Sequence, residues 1–182
     1  MLAALALAGG SIVFHPEADR ATGSTTTRAN PAGDPLASEP FKCGGSTGLG
    51  VGDAPAVALI TSVGVTEQSG FDRVTFGFRN GRPRQVVVAT QDTNRFNAGR
   101  GAPVAVLDGS RGATITLYGS DAHSDFSGPT DIHTGYSAVV ELREIGAPAG
   151  GAEWAVGLAQ APCYRMAFYD NPVVLVVDFK RA

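Results

Sequence analysis

The chain has 182 residues, a formal net charge of −3 and only 17% charged residues. That balance leaves no electrostatic footprint for nucleic acid. With 43% hydrophobic residues, 24 glycines and 11 prolines, it suits one turn-rich globular domain carrying unfolded extensions.

Met1–Phe14 is uncharged and reads MLAALALAGGSIVF. As a helix it would reach ~21 Å, short of the ~30 Å hydrocarbon core of a bilayer. Residues 1–17 are therefore expected to form a signal-peptide-like leader, with no transmembrane anchor. Ala6-Leu7-Ala8 offers a small-residue cleavage site. No Lys or Arg stands before Glu17, which a start codon placed too far downstream would explain. Leu7-Ala8-Gly9-Gly10 has the shape of a lipobox, but Gly10 stands where the lipidated cysteine belongs, so no lipid anchor is expected there.

Residues 18–40 (ADRATGSTTTRANPAGDPLASEP) lack apolar periodicity and are dense in Thr, Ala, Pro and Ser. Such a stretch buries too little surface to offset its ordering entropy, which predicts a flexible tether. Fully extended it would span ~75 Å. The domain is expected over 41–182, opening with an irregular arm from Phe41 to Ala54. Gly48-Leu49-Gly50-Val51-Gly52 neither follows a predicted strand nor opens a helix, so it fails the context a nucleotide loop requires.

From Val57 onward, Gly, Pro, Asn or Asp punctuates the chain every eight to twelve residues, the rhythm of an all-β sandwich or barrel. The predicted strands are Val57–Val65, Phe71–Phe78, Arg84–Thr90, Ala102–Leu107, Ala113–Tyr118, Ser137–Ile145, Glu153–Leu158, Tyr164–Tyr169 and Pro172–Phe179. Val74, Phe76 and Phe78 alternate with Arg73 and Thr75, as a half-buried strand requires. Val173–Val177 is continuously apolar, as a strand buried on both faces would be. Asn80-Gly81 and Asp170-Asn171-Pro172 are turn signals. Two insertions break the rhythm, Gln91–Gly101 and the longer Gly119–Thr134. The fold class that follows is all-β, a β-sandwich of about eight to nine mostly antiparallel strands.

Cys43 and Cys163 are the only cysteines. In an exported protein they predict one disulfide; in a cytoplasmic one they would be two buried thiols. Export and bridge stand together.

Gly70-Phe71-Asp72-Arg73-Val74, the Val139–Leu158 stretch with its Trp-Ala-Val-Gly-Leu strand, and Tyr164–Phe179 with its Asn-Pro turn and Val-Val-Asp strand carry a family likeness. Over roughly Val57–Arg181 the chain resembles the AMIN-like domain of exported bacterial proteins, a relative of the AMIN domain that precedes catalytic domains in some cell-wall amidases. The resemblance implies a β-sandwich acting as a non-catalytic envelope module that binds cell-wall glycan. The chain departs from the parent AMIN pattern at Val173-Val174, where an arginine commonly follows the proline.

The richest polar cluster, Ser120–His133, holds His123, His133, Asp121, Asp125 and Asp131. Their spacing matches neither an HExxH nor an EF-hand template, so no metal and no cofactor is expected. There is no Gly-x-Ser-x-Gly elbow, and Glu141 and Glu144, three apart on one strand, point to opposite faces. Neither nucleophilic catalysis nor a paired-carboxylate glycosidase is therefore indicated. Sugar binding would use aromatic faces beside arginines. Tyr118, His123, Phe126 and Tyr136 lie in or beside the long insertion, while Arg79, Arg82, Arg84 and Arg95 flank two other loops. The expected contacts are Tyr118, His123 and Tyr136, and the expected partners are cell-wall polysaccharide or an envelope protein, outside the cytoplasm. A small hydrolase using the 119–134 loop, or a protein–protein interaction domain, is the rival reading.

Overall fold

The computed structural model describes residues 34, 36–50, 57–97, 103–121, 125–148 and 150–182. The expected leader and the tether up to residue 33 lie outside them, as does His123. Fourteen strands occur among the described residues: β1 Lys42–Cys43, β2 Ser46–Gly50, β3 Ala58–Gln68, β4 Phe71–Arg79, β5 Gln85–Gln91, β6 Arg95–Asn97, β7 Val104–Val106, β8 Arg111–Tyr118, β9 Ser120–Asp121, β10 Asp131–His133, β11 Val139–Gly146, β12 Gly151–Leu158, β13 Cys163–Asp170 and β14 Val173–Lys180. No described helix is long and apolar enough to cross a membrane.

All nine predicted strands are present, and the class is all-β. The count of eight to nine is too low because β1, β2, β6, β9 and β10 are short strands made by tertiary pairing. The expected irregular arm is corrected in particular: Ser46–Gly50 zips antiparallel onto β5, from Ser46↔Ala89 to Gly50↔Gln85. Its Gly-rich sequence has poor intrinsic β preference, and the ladder supplies what propensity does not.

Two six-stranded sheets make the sandwich. The first runs β1-β13-β14-β4-β3-β9 and the second β10-β11-β12-β8-β5-β2, with β6–β7 as a separate ribbon. Pairing is antiparallel except for β3 with β9. Inward residues of both sheets form one core: Ile60, Val74, Phe76, Leu175, Val177 and Phe179 meet Val88, Ile115, Leu117, Leu142, Trp154 and Val156. Phe76 and Trp154 meet edge-to-face across the layers, with ring centroids 5.6 Å apart. Buried Tyr164 of β13 donates its hydroxyl to the Val88 carbonyl of β5 at 3.2 Å, tying the sheets at a polar point. The Asn80-Gly81 turn forms as the sequence predicts, with φ of 65° and 101°.

Each sheet also has part of its outer face covered. Over the second sheet lies the β6–β7 ribbon, whose Phe96 and Leu107 pack on Ala155. Close approach explains two glycines here. A Cβ at Gly112 would overlap the Phe96 ring, and one at Gly157 the Asp108 carbonyl oxygen. Over the first sheet lies the end of the segment expected to be tether: Asp34 and Leu36 are buried. The chain then enters β1, where Cys43 stands directly opposite Cys163 and the two are joined by a disulfide.

Candidate functional site

Of the expected sugar-binding residues, the two described, Tyr118 and Tyr136, do not converge. Tyr118 ends β8 and pairs with Gly151. Tyr136 precedes β11, whose Val139 pairs with Leu158, itself opposite Arg111 at the other end of β8. Seven strand positions separate those ends, ~24 Å of extended chain. Phe126 turns inward and meets Trp154 edge-on at 6.1 Å, so it anchors the long insertion to the core. Several of the flanking polar residues are engaged locally. Arg79 pairs with Asp125, and Arg82 pairs with Asp170 while lying 5.0 Å over the Phe168 ring.

Charge is concentrated at three clusters, two of which begin at Asp72-Arg73. Alternation sends these neighbours to opposite faces. Asp72, on the core side and fully buried, accepts hydrogen bonds from the amides of Ala138 at 2.8 Å and Val139 at 3.0 Å. It also accepts two from Arg181, at 2.9 and 2.6 Å. Burial opposes the Arg181 charge, but Asp72 and Glu67 outweigh it and raise the guanidinium pKa.

Arg73, on the outer face, stands opposite Asp178, which stands opposite Arg165. Asp178 is completely buried. Arg73 Nε and Nη2 donate to its two oxygens at 2.7 and 3.0 Å, and Arg165 Nε donates at 3.0 Å. The arm completes the network, since Asp34 accepts from Arg73 Nη2 at 2.9 Å, from the Leu36 amide at 2.9 Å and from the Tyr169 hydroxyl. Burial alone would raise the Asp34 carboxyl, but bonds from Tyr169, Arg73 and the Leu36 amide outweigh it and hold the pKa at about 2. Burial and then the bond to Asp34 push the Tyr169 phenol up to about 12. For Arg73, desolvation works against the charge, and Asp178 and Asp34 more than reverse it. Arg165 lies 4.5 Å over the Phe41 ring and 5.0 Å over Phe71. This cluster is a clasp for the arm: Arg73, Arg165 and Tyr169 each donate to acceptors of the same chain.

The third cluster lies on the outer face of the second sheet, beside the β7–β8 turn. Glu141, 1% exposed, stands opposite Gly157. Its Oε2 accepts the Asp108 amide at 2.6 Å, and its Oε1 lies 2.5 Å from Arg143 Nη2. Arg143 Nε reaches Asp131 at 3.0 Å. The His133 ring is bracketed, with Nδ1 3.0 Å from Asp108 Oδ2 and Nε2 3.4 Å from Asp131 Oδ1. Asp108, His133 and Glu141 each offer an oxygen or nitrogen within 4.8 Å of the others. Of the loop residues singled out in sequence, Asp131 and His133 thus reach this cluster, whereas Asp125 goes to Arg79. Sequence spacing misses Asp108 and Glu141, which come from the β7–β8 turn and from β11 and meet only through the fold. The signal available for the clasp was Asp178 itself, since a carboxylate inside an apolar central strand demands a buried cation.

No curated protein and no solved structure matches the chain. The family model for the AMIN-like domain matches residues 58–181, the span from the first residue of β3 to just past β14. With every strand of the sandwich except β1 and β2 inside that match, the chain belongs to the AMIN-like domain family.

Proposed function

We propose that this chain is a non-catalytic, extracytoplasmic module of the cell envelope that binds cell-wall glycan or a wall-associated protein. Family membership over the sandwich carries the reading. The Cys43–Cys163 bridge supports it, because disulfides persist in oxidising compartments. The carboxylates support it too. Glu141 and Glu144 stand opposite Gly157 and Trp154, on different faces, so they cannot flank one glycosidic bond.

Of the two expected contacts among the described residues, Tyr118 suits a sugar contact better than Tyr136. It is half-buried at the end of β8, on the same outward row as Thr114 and Thr116. A sugar ring stacked there would gain from an aromatic face held by the sheet. The test is cosedimentation of the purified protein with isolated cell-wall sacculi, comparing Tyr118→Ala, His123→Ala and Tyr136→Ala. Because Tyr118 and Tyr136 lie at opposite ends, one contact zone accommodates only one of them. The expected result is reduced retention for Tyr118→Ala and unchanged retention for Tyr136→Ala. Retention indifferent to all three substitutions refutes this site. Turnover of muropeptides or model esters refutes the non-catalytic reading in favour of a hydrolase using the 119–134 loop.

A further inference from the structure

The Asp108–His133–Glu141 cluster joins three segments distant in sequence: the β7–β8 turn, β10 and β11. We propose that it binds a divalent transition-metal ion of the zinc class through the His133 imidazole and the Asp108 and Glu141 carboxylates. One imidazole nitrogen with carboxylate oxygens is a borderline-soft donor set that suits zinc and its first-row neighbours better than magnesium or calcium.

Geometry supports the assignment. Two ligand atoms each ~2.1 Å from a tetrahedral ion lie ~3.4 Å apart, and His133 Nδ1 and Asp108 Oδ2 are 3.0 Å apart. The widest separation in the group is within 4.8 Å, against a limit of ~4.2 Å for two atoms sharing that ion. Closing the difference requires a few tenths of an ångström from His133 and Asp108, whose side chains are 57% and 69% exposed.

A second, independent observation points to a ligand. Glu141 Oε1 is buried and has no hydrogen-bond donor among the described residues. Arg143 Nη2 is its ion-pair partner at 2.5 Å without making a hydrogen bond to it, so the oxygen keeps lone-pair capacity for a ligand. Formal charge agrees. Asp108, Asp131 and Glu141 against Arg143 leave −2 with His133 neutral, which one divalent ion offsets. Arg143 is the competitor for Oε1, and its Nε contact with Asp131 at 3.0 Å gives it an alternative anchor. The bound ion would clamp the β7–β8 turn, and with it the ribbon over the second sheet, onto β10 and β11.

The test is calorimetric titration of the metal-stripped, disulfide-intact full chain with Zn²⁺, with Co²⁺ absorption as a second readout. One equivalent is expected, with affinity reduced at least ~10-fold in His133→Ala and in Asp108→Asn and unchanged in His15→Ala and His123→Ala. Zn²⁺ should also raise the Tm of the unmutated chain and not that of His133→Ala. Since His133 is exposed, loss of binding there is separable from unfolding by circular dichroism. Absence of binding heat, or binding abolished by His123→Ala or His15→Ala and kept by His133→Ala, overturns the proposal.

Discussion

Asp178→Asn is the sharpest probe of the clasp, because it removes a charge while preserving shape. The wild-type carboxylate accepts from Arg73 Nε at 2.7 Å, Arg73 Nη2 at 3.0 Å and Arg165 Nε at 3.0 Å. An amide oxygen can replace only one of the two carboxylate oxygens. If it takes the Oδ2 position, the amide nitrogen faces Arg73 Nε, donor against donor. Two guanidinium groups with side chains 12% and 9% exposed then share one neutral acceptor and Asp34. Breaking a buried pair by removing one partner costs about 3–5 kcal/mol. Asp34 still serves Arg73, so the lower end, about 3 kcal/mol, is expected. With a urea m-value of about 2 kcal/mol/M, the unfolding midpoint falls by about 1.5 M. Asp92→Asn is the control, as that side chain is 97% exposed and 4.0 Å from Arg111, a surface pair of the kind that contributes little. Equal midpoints for the two variants would refute the claim that the buried network holds the sheet and arm together.

Three further outcomes are expected. Replacing Cys43 and Cys163 together by Ser, separated by 120 positions, should cost up to about 5 kcal/mol on the loop-entropy account. Thermal melts of the pair variant and of reduced wild type should therefore agree, and a loss below about 1 kcal/mol would count against that account. Asp34 has a folded pKa of about 2 against 3.8 for the free side chain, so its contribution is complete above the unfolded value and is lost as pH falls through about 2. The difference corresponds to on the order of 2 kcal/mol, measurable as the gap between wild type and Asp34→Asn at pH 6 that closes near pH 2. Gly157→Ala should cost about 1–3 kcal/mol by forcing the Asp108 carbonyl away. Hydrogen exchange should then quicken at the Leu107 amide, bonded to Asn94 at 3.0 Å, and unchanged protection there would contradict the close-approach argument.

Strand existence was legible because the core is built from alternating rows. Val74, Phe76 and Phe78, or Trp154, Val156 and Leu158, announce one buried face each. What the rows cannot encode is a strand whose stability comes from its neighbour. Ser46–Gly50 contains three small or flexible residues and only Leu49 as an apolar anchor, so it reads as loop until β5 offers its edge. The arm is a similar case. Residues 34–40 carry Pro, Ser and Glu and no periodicity, yet Asp34 and Leu36 are buried, with Arg73, Tyr169 and the Leu36 amide supplying partners to Asp34. The sites were least legible. Glu141 reads as a solvated strand carboxylate until Gly157 opposite it lets the Asp108 turn descend. Tyr118 and Tyr136 lie on either side of one insertion in sequence but attach to opposite ends of one sheet.

Coverage of the outer faces restricts where a partner can dock. Arg73, Arg165 and Tyr169 would make an attractive anion-binding row on the first sheet, but Asp178 and Asp34 already occupy them. On the second sheet the ribbon occupies Gly112, Ala155 and Gly157. A ligand competing for either surface must first displace a segment of the chain itself, against buried ion pairs on one side and packed Phe96 and Leu107 on the other. Among the described residues, two other stretches are the Tyr118 end of the second sheet and the Ser62–Thr66 margin of the first, where Ser62 and Thr66 are exposed. Of these only the former presents an aromatic ring. A polymer ligand, which gains from stacking and from contacts repeated along its length, is therefore better served at the end of the sandwich than across either face.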